Sequence, residues 1–188
     1  MKLAFLLSSR FGHVQAIAEH MAEVWHRSGV PISVDYLNLE EKELKVNLQQ
    51  YQVIIVGASI RYGHFHRNVW RLASQYSKSL NNKKTAFYSV NLLARRAGKD
   101  TVDTNSYTRK FLATTPWKPK ISRVFAGALR YPRYNWLDRL AIGLVMRITG
   151  GETNMSKEVV YTDWQAVTSF ASEIAREWLG GPRAPVGE

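Results

Sequence analysis

Short continuous apolar runs alternate with segments of helical periodicity along almost the whole chain. This alternation restricts the possible folds more than any other feature. Lys2 to Ser8 is the first run, too unbroken for a strand with one wet face and so expected to be buried on both. Val14 to Arg27 follows, with Ile17, Met21, Val24 and Trp25 at helical spacing, closed by Gly29 and Pro31. Ile32 to Leu39 alternates as a second strand, and Glu40 to Tyr51 is polar and weakly helical. Val53 to Val56 reads as a strand stopped by Gly57. Asn68 to Leu80 reads as a helix with Val69, Leu72, Ala73, Tyr76 and Leu80 inward, and Thr85 to Val90 as the next strand. Asn105 to Thr114 is a short helix ended by Pro116, and Ser122 to Leu129 a strand weakened by Gly127. Trp136 to Ile148 is an apolar helix, Glu158 to Tyr161 a short strand segment, and Asp163 to Leu179 the last helix.

Strands that alternate with helices imply a parallel sheet covered on both faces. Right-handed crossovers leave few topologies, and five strands suit the doubly wound order 2-1-3-4-5. With 188 residues, one domain is expected over 1–179, followed by a flexible tail, 180–188, rich in Gly and Pro. In this architecture ligands lie beyond the carboxyl ends of the strands, so the loops after Leu7, Val56 and Val90 carry the chemistry.

Composition removes several alternatives. There are no cysteines, which excludes disulfides, thiolate metal sites and cysteine nucleophiles and fits a reducing cytoplasm. No stretch approaches the roughly 20 apolar residues of a membrane-spanning helix, and the N-terminus lacks a signal-peptide pattern. The net charge of +11 points to an anionic partner: nucleic acid, a membrane surface or an acidic small molecule. His64 and His66 have metal-ligand spacing, but no carboxylate cluster accompanies them, and no metal is expected.

The loop Ser8 to Gln15, between a buried strand and a helix, combines hydroxyls, a glycine turn and a helix N-terminus. Such a place binds anions through backbone N–H groups and the helix dipole. It contains neither Gly-Lys-Ser/Thr nor G-x-G-x-x-G, and its length suits a monophosphate. An ordinary structural turn is the alternative reading. In the second loop, Gly57 to His66, glycines permit close backbone approach, and Tyr62 and Phe65 are able to stack on a flat ring. The third begins Ser89-Val90-Asn91-Leu92 and runs into Arg95-Arg96.

Ser9-Arg10-Phe11-Gly12-His13 resembles the phosphate loop of flavodoxins. Longer blocks resemble, more narrowly, the quinone-dependent protoporphyrinogen IX dehydrogenases of bacterial haem synthesis. These are Gly57 to His64, Phe87 to Leu92, Asn105 to Tyr107, Ala126 to Tyr134, Gly150 to Thr153 and Lys157 to Trp164. Together they span nearly the whole chain.

The resemblance implies a flavodoxin-like sheet with an inserted segment, about 130–156, in the fifth strand. It also implies FMN as cofactor, with its phosphate on Ser9, Arg10, Phe11, Gly12 and His13 and its ring near Ser59, Tyr62, Ser89 and Asn91. Flavodoxin loops usually carry Thr or Ser where this chain has Val14, so one phosphate contact is missing. The implied reaction passes electrons from protoporphyrinogen IX through FMN to menaquinone or ubiquinone, on the cytoplasmic side of the cell membrane. Arg61, Arg95, Arg96, Arg130 and Arg133 are candidates to hold the substrate propionates. No catalytic acid or base is assigned, because the cofactor carries the chemistry. The helix Trp136 to Ile148 rises only about 20 Å and is expected at a membrane surface or lining a quinone site, packing on the domain being the alternative. A flavodoxin-like NAD(P)H-quinone reductase or electron carrier is the competing function, although carriers of this fold are generally acidic. A basic nucleic-acid-binding domain without flavin is the remaining alternative, and no nucleic acid is expected as a partner.

Overall fold

Residues Lys2–Ser8 form β1, in which every residue from Leu3 to Ser8 is buried. The computed structural model describes residues 1–42, 46–130 and 158–180, together with 142, 143, 146, 147, 150 and 154. The chain continues through α1 (His13–Arg27), β2 (Ser33–Asn38), β3 (Val53–Ser59), α2 (Arg67–Gln75), α3 (Ser77–Asn81), β4 (Lys84–Asn91), α4 (Ser106–Thr114) and β5 (Ile121–Ala126). Two short strands, β6 (Ala128–Arg130) and β7 (Glu158–Val160), precede α5 (Trp164–Ile174), which runs on as a π-helical segment, Ala175–Leu179.

The five long strands make one parallel sheet in the order β2-β1-β3-β4-β5, as the alternation predicts. Side-chain direction alternates along a strand, and here both directions meet a hydrophobic layer. Leu3, Phe5 and Leu7 join Ile17, Met21 and Trp25 of α1 and Phe170 and Ile174 of α5. Ala4 and Leu6 join Val69 and Leu72 of α2, Leu80 of α3 and Phe111 of α4. The Trp25 indole also donates to Ala171 O across 2.8 Å, pinning α1 to α5.

Three boundaries differ from the sequence reading. β3 does not stop at Gly57 but runs through it to Ser59, because the glycine leaves room for the Tyr88 ring of β4, whose Cζ lies 2.3 Å from where a Cβ would stand. The helix expected over 68–80 breaks at Tyr76 into α2 and α3. The strand expected over 122–129 leaves the sheet at Gly127. Beyond it β6 pairs antiparallel with β7, Leu129 opposite Val159.

Among the described residues, 40–51 holds only a 3-10 turn, Leu48–Gln50. The segment about 130–156 falls between β6 and β7. Most of it, most of the helix expected over 136–148, and the tail beyond Gly180 lie outside the described residues. Among those described, no helix is long and apolar enough to cross a membrane.

Candidate functional site

The carboxyl ends of β1, β3 and β4 open into a cavity of about 380 Å³. Three loops wall it: Ser9, Arg10, Phe11 and His13 from the first, Ser59, Arg61 and Tyr62 from the second, and Asn91, Arg95 and Arg96 from the third. Residues up to 137 positions apart in sequence, Ser9 and Met146, are thus brought to one site.

The first loop turns into α1 at Gly12, whose φ of 79° is left-handed and therefore suits glycine. Gly12 has no side chain to cap the helix, and the first turn of α1 holds no acidic residue. The positive end of the helix dipole thus faces the cavity uncompensated by acid. Ser9 Oγ accepts from Val14 N at 3.2 Å, bracing the loop. Underneath, the Tyr88 hydroxyl donates to Val14 O at 2.8 Å.

His13 is fixed more tightly than a loop residue need be. Its Nε2 lies 2.6 Å from Thr162 Oγ1, and that hydroxyl donates to Ala126 O, also at 2.6 Å. The hydroxyl proton is committed to the carbonyl, so Thr162 must accept and His13 Nε2 must carry the hydrogen.

The second loop is a tight reverse turn. Arg61 and His64 exchange two backbone hydrogen bonds of 2.9 Å, while Tyr62 and Gly63 at its tip have φ of 48° and 79°, the signature of a type I′ turn. Positive φ is uncommon for a bulky residue. It leaves the Tyr62 ring 65% exposed at the cavity mouth, with the Arg61 guanidinium 4.7 Å from its centroid. His66 serves as N-cap of α2, its Nδ1 accepting from Asn68 N.

In the third loop, Asn91 ends β4 and caps the following turn: its Oδ1 accepts from Ala94 N. Arg95 Nη1 donates to Leu92 O at 3.0 Å, and its guanidinium lies 6.0 Å from the Tyr161 ring. Arg96 is exposed at the rim.

One candidate lies away from the cavity. Ser89 does not line it; it is fully buried, and its Oγ lies 2.6 Å from Thr108 Oγ1 of α4. Gly12 adds no side chain to the wall and shapes the loop through its left-handed backbone. Arg130 ends β6 opposite Glu158, but its side chain and the whole of Arg133 lie outside the described residues.

The sequence reading left out Leu93, and named Ile60, Leu92, Tyr107, Ala128 and Thr162 only within matching blocks, without a role at the site. It placed Ile142 and Met146 on the apolar helix without assigning them to the site, yet both line the cavity and pack against Leu129. The described lining contains four arginines and no Asp or Glu. Such a site takes a flat, largely apolar anion, with a helix N-terminus at one end and aromatic rings beside it.

Comparison with known proteins agrees with this geometry. A family model described as a flavodoxin domain matches residues 4–156. Protoporphyrinogen IX dehydrogenase (quinone) of Escherichia coli strain K12 is 46% identical over 93% of this chain and 95% of its own length. The protein of the same name from Leishmania major is 42% identical over 98% of this chain and 79% of its own. Among solved structures, oxidised flavodoxin 2 from Bacillus cereus superposes with a TM-score of 0.54 over 95% of this chain and 100% of that one, at 14% identity, which bears on the fold alone. The chain belongs to the flavodoxin domain family, alongside the protoporphyrinogen IX dehydrogenases it matches over nearly its whole length.

Proposed function

We propose that this protein is an FMN-dependent dehydrogenase that oxidises protoporphyrinogen IX to protoporphyrin IX and passes the electrons to a quinone. The observation that carries the reading is the 46% identity to a dehydrogenase of that name over 93% of the chain, combined with a single cavity that gathers all three expected loops.

The residues present fit FMN. The acid-free N-terminus of α1 suits a phosphate. Farther along the wall, Asn91 Nδ2 is buried and has no acceptor among the described residues, which a ring bearing carbonyl groups supplies. When bound, FMN accepts two electrons at a time, so three turnovers and three quinones remove the six electrons of the overall oxidation. The protein positions and polarises. Ser9 to His13 hold the phosphate through backbone N–H groups, and Ser59, Tyr62 and Asn91 border the ring. Tyr62 supplies a flat face at the open side.

Arg61, Arg95 and Arg96 bind the substrate propionates through charge-assisted hydrogen bonds. Arg61 and Arg95 are braced beforehand, by Tyr62 and by Leu92 O with Tyr161 respectively, so less side-chain entropy is lost on binding. A lipophilic quinone requires access from a membrane. The apolar segment 136–148, two of whose residues reach the cavity, supports peripheral attachment at a lipid surface.

The test is anaerobic turnover of protoporphyrinogen IX by the FMN-loaded protein, followed by protoporphyrin fluorescence with and without menaquinone. Quinone-dependent fluorescence above the enzyme-free control is expected. Its absence at full FMN occupancy would redirect the assignment to an NAD(P)H-quinone reductase, which reduction of the flavin by NADPH then identifies.

A further inference from the structure

A line of buried polar side chains runs from the interior of the sheet to the cavity wall. Ser89, Thr108 and Asn105 are fully buried, and Asn91 is 5% exposed. Ser89 Oγ and Thr108 Oγ1 lie 2.6 Å apart. Asn105 Oδ1 accepts from both Thr108 N, at 3.3 Å, and Thr108 Oγ1, at 3.2 Å. Asn105 Nδ2 donates to Lys99 O at 3.0 Å and to Asn91 Oδ1 at 3.1 Å. Asn91 Oδ1 accepts a second bond from Ala94 N, also at 3.1 Å.

The partners leave no freedom in the direction of this line. The Asn105 amide has a backbone donor on one side and a backbone carbonyl on the other, so it cannot turn over. The Asn91 oxygen faces two donors, so the Asn91 amide cannot turn over either. The Thr108 hydroxyl gives its hydrogen to Asn105, so Ser89 must donate to Thr108. All the hydrogens point the same way, toward Asn91. Bonds aligned in this manner polarise one another in a low-dielectric interior. The line ends on Asn91 Nδ2, a buried donor that has no acceptor among the described residues on a residue that lines the cavity. An unsatisfied buried donor is costly, and a ligand acceptor relieves that cost.

We infer that Asn91 Nδ2 donates to a carbonyl oxygen of the pyrimidine edge of the bound flavin, and that Asn105 is the positioning residue that locks it as a donor. This rests on the FMN reading above. The locked direction selects the acceptor. Flavin N5 accepts when oxidised but carries a hydrogen when reduced, and a donor unable to turn over would then face another donor. A carbonyl oxygen accepts in both states and gains electron density on reduction. The Asn91 bond therefore strengthens when the flavin is reduced, and the relay raises the reduction potential.

The experiment titrates oxidised FMN into apoprotein and measures the two-electron midpoint potential of the holoprotein, for wild type, Asn91→Leu and Asn105→Ser. Ser is as good an N-cap for α4 as Asn and introduces no charge that would itself move the potential, so Asn105→Ser removes the donor to Asn91 Oδ1, together with the bond to Lys99 O, and keeps the site neutral. Both variants are expected to lose about tenfold in preference for reduced over oxidised FMN, which for a two-electron couple is a potential about 30 mV more negative.

Wild-type protein that fails to bind FMN would overturn the cofactor reading and this inference with it. Unchanged potentials in variants that bind FMN would overturn the inference and leave the cofactor reading intact. A more positive potential would also overturn it, being the result of removing a donor from N5.

Discussion

At Gly57 a Cβ would stand 2.3 Å from Tyr88 Cζ and 2.4 Å from its hydroxyl oxygen, and Tyr88 has no room to yield because it is fully buried. Overpacking of this kind costs about 1–3 kcal/mol, and Gly57→Ala is expected to lower stability by that amount in urea unfolding. Burial also pushes the Tyr88 phenol well above the usual tyrosine value of 10, with Tyr36 adding to the rise. A group whose folded value is raised contributes stability in full below the unfolded value and loses it as pH climbs toward the folded one. Stability should therefore fall above pH 10, and Tyr88→Phe should flatten that fall while removing the bond to Val14 O. Val14 is 1% exposed and lines the cavity. Val14→Thr is expected to tighten FMN binding about tenfold, since one added hydrogen bond to a charged group is worth about 1.5–3 kcal/mol and part of this is lost to burying a hydroxyl. An FMN dissociation constant unchanged by Val14→Thr, measured by flavin fluorescence quenching, would remove the phosphate from this part of the loop.

Between elements, the bond from His13 to Thr162 links the start of α1 with the approach to α5, and Thr162 also donates to Ala126 at the end of β5. Thr162→Val keeps the shape and deletes both bonds. It is expected to cost about 1–3 kcal/mol, because the Nε2–H of His13 loses its buried acceptor, and to weaken FMN binding several-fold by loosening the phosphate loop. Unaltered affinity alongside lost stability would confine Thr162 to the scaffold. Thr162 fell within a matching block, but its role was not legible, because its partner lies 149 residues away and neither residue has a local pattern that announces the other. The same reason hid the course of β3: Gly57 looks like a stop until the Tyr88 ring beside it is known. The strands themselves were legible because burial on both faces leaves unbroken apolar runs, as in Leu3 to Leu7, and the strand order followed from their alternation with helices. Ser89 was expected beside the flavin ring because it opens the third loop two residues before Asn91. The two share a strand face, but Ser89 lies deeper in the sheet, where its hydroxyl meets Thr108, and the lining of the cavity begins only at Val90. Tyr62, Arg61, Arg95 and Arg96 come to one cavity because loops beyond the carboxyl ends of parallel strands converge.

For the molecule as a whole, charge and apolar surface would make separable contributions to the membrane attachment proposed above. A net charge of +11 would draw the protein to anionic lipid, each basic residue near the surface contributing about 1 kcal/mol, and this attraction would be screened within about 8 Å at physiological salt. Burial of apolar side chains in the acyl boundary is not screened. If the segment 136–148 enters the lipid as proposed, sedimentation with vesicles containing phosphatidylserine should show two components: one lost as salt is raised to 0.5 M, and one that persists. The double substitution Leu140→Asp with Leu144→Asp should abolish the persistent part, leave the salt-sensitive part largely in place, and preserve FMN binding, which depends on the three loops. Binding that disappears entirely at high salt in the unaltered protein would mean that charge alone brings it to the surface. Quinone access would then have to run through the cavity mouth at Tyr62 and Arg96, without help from the apolar segment.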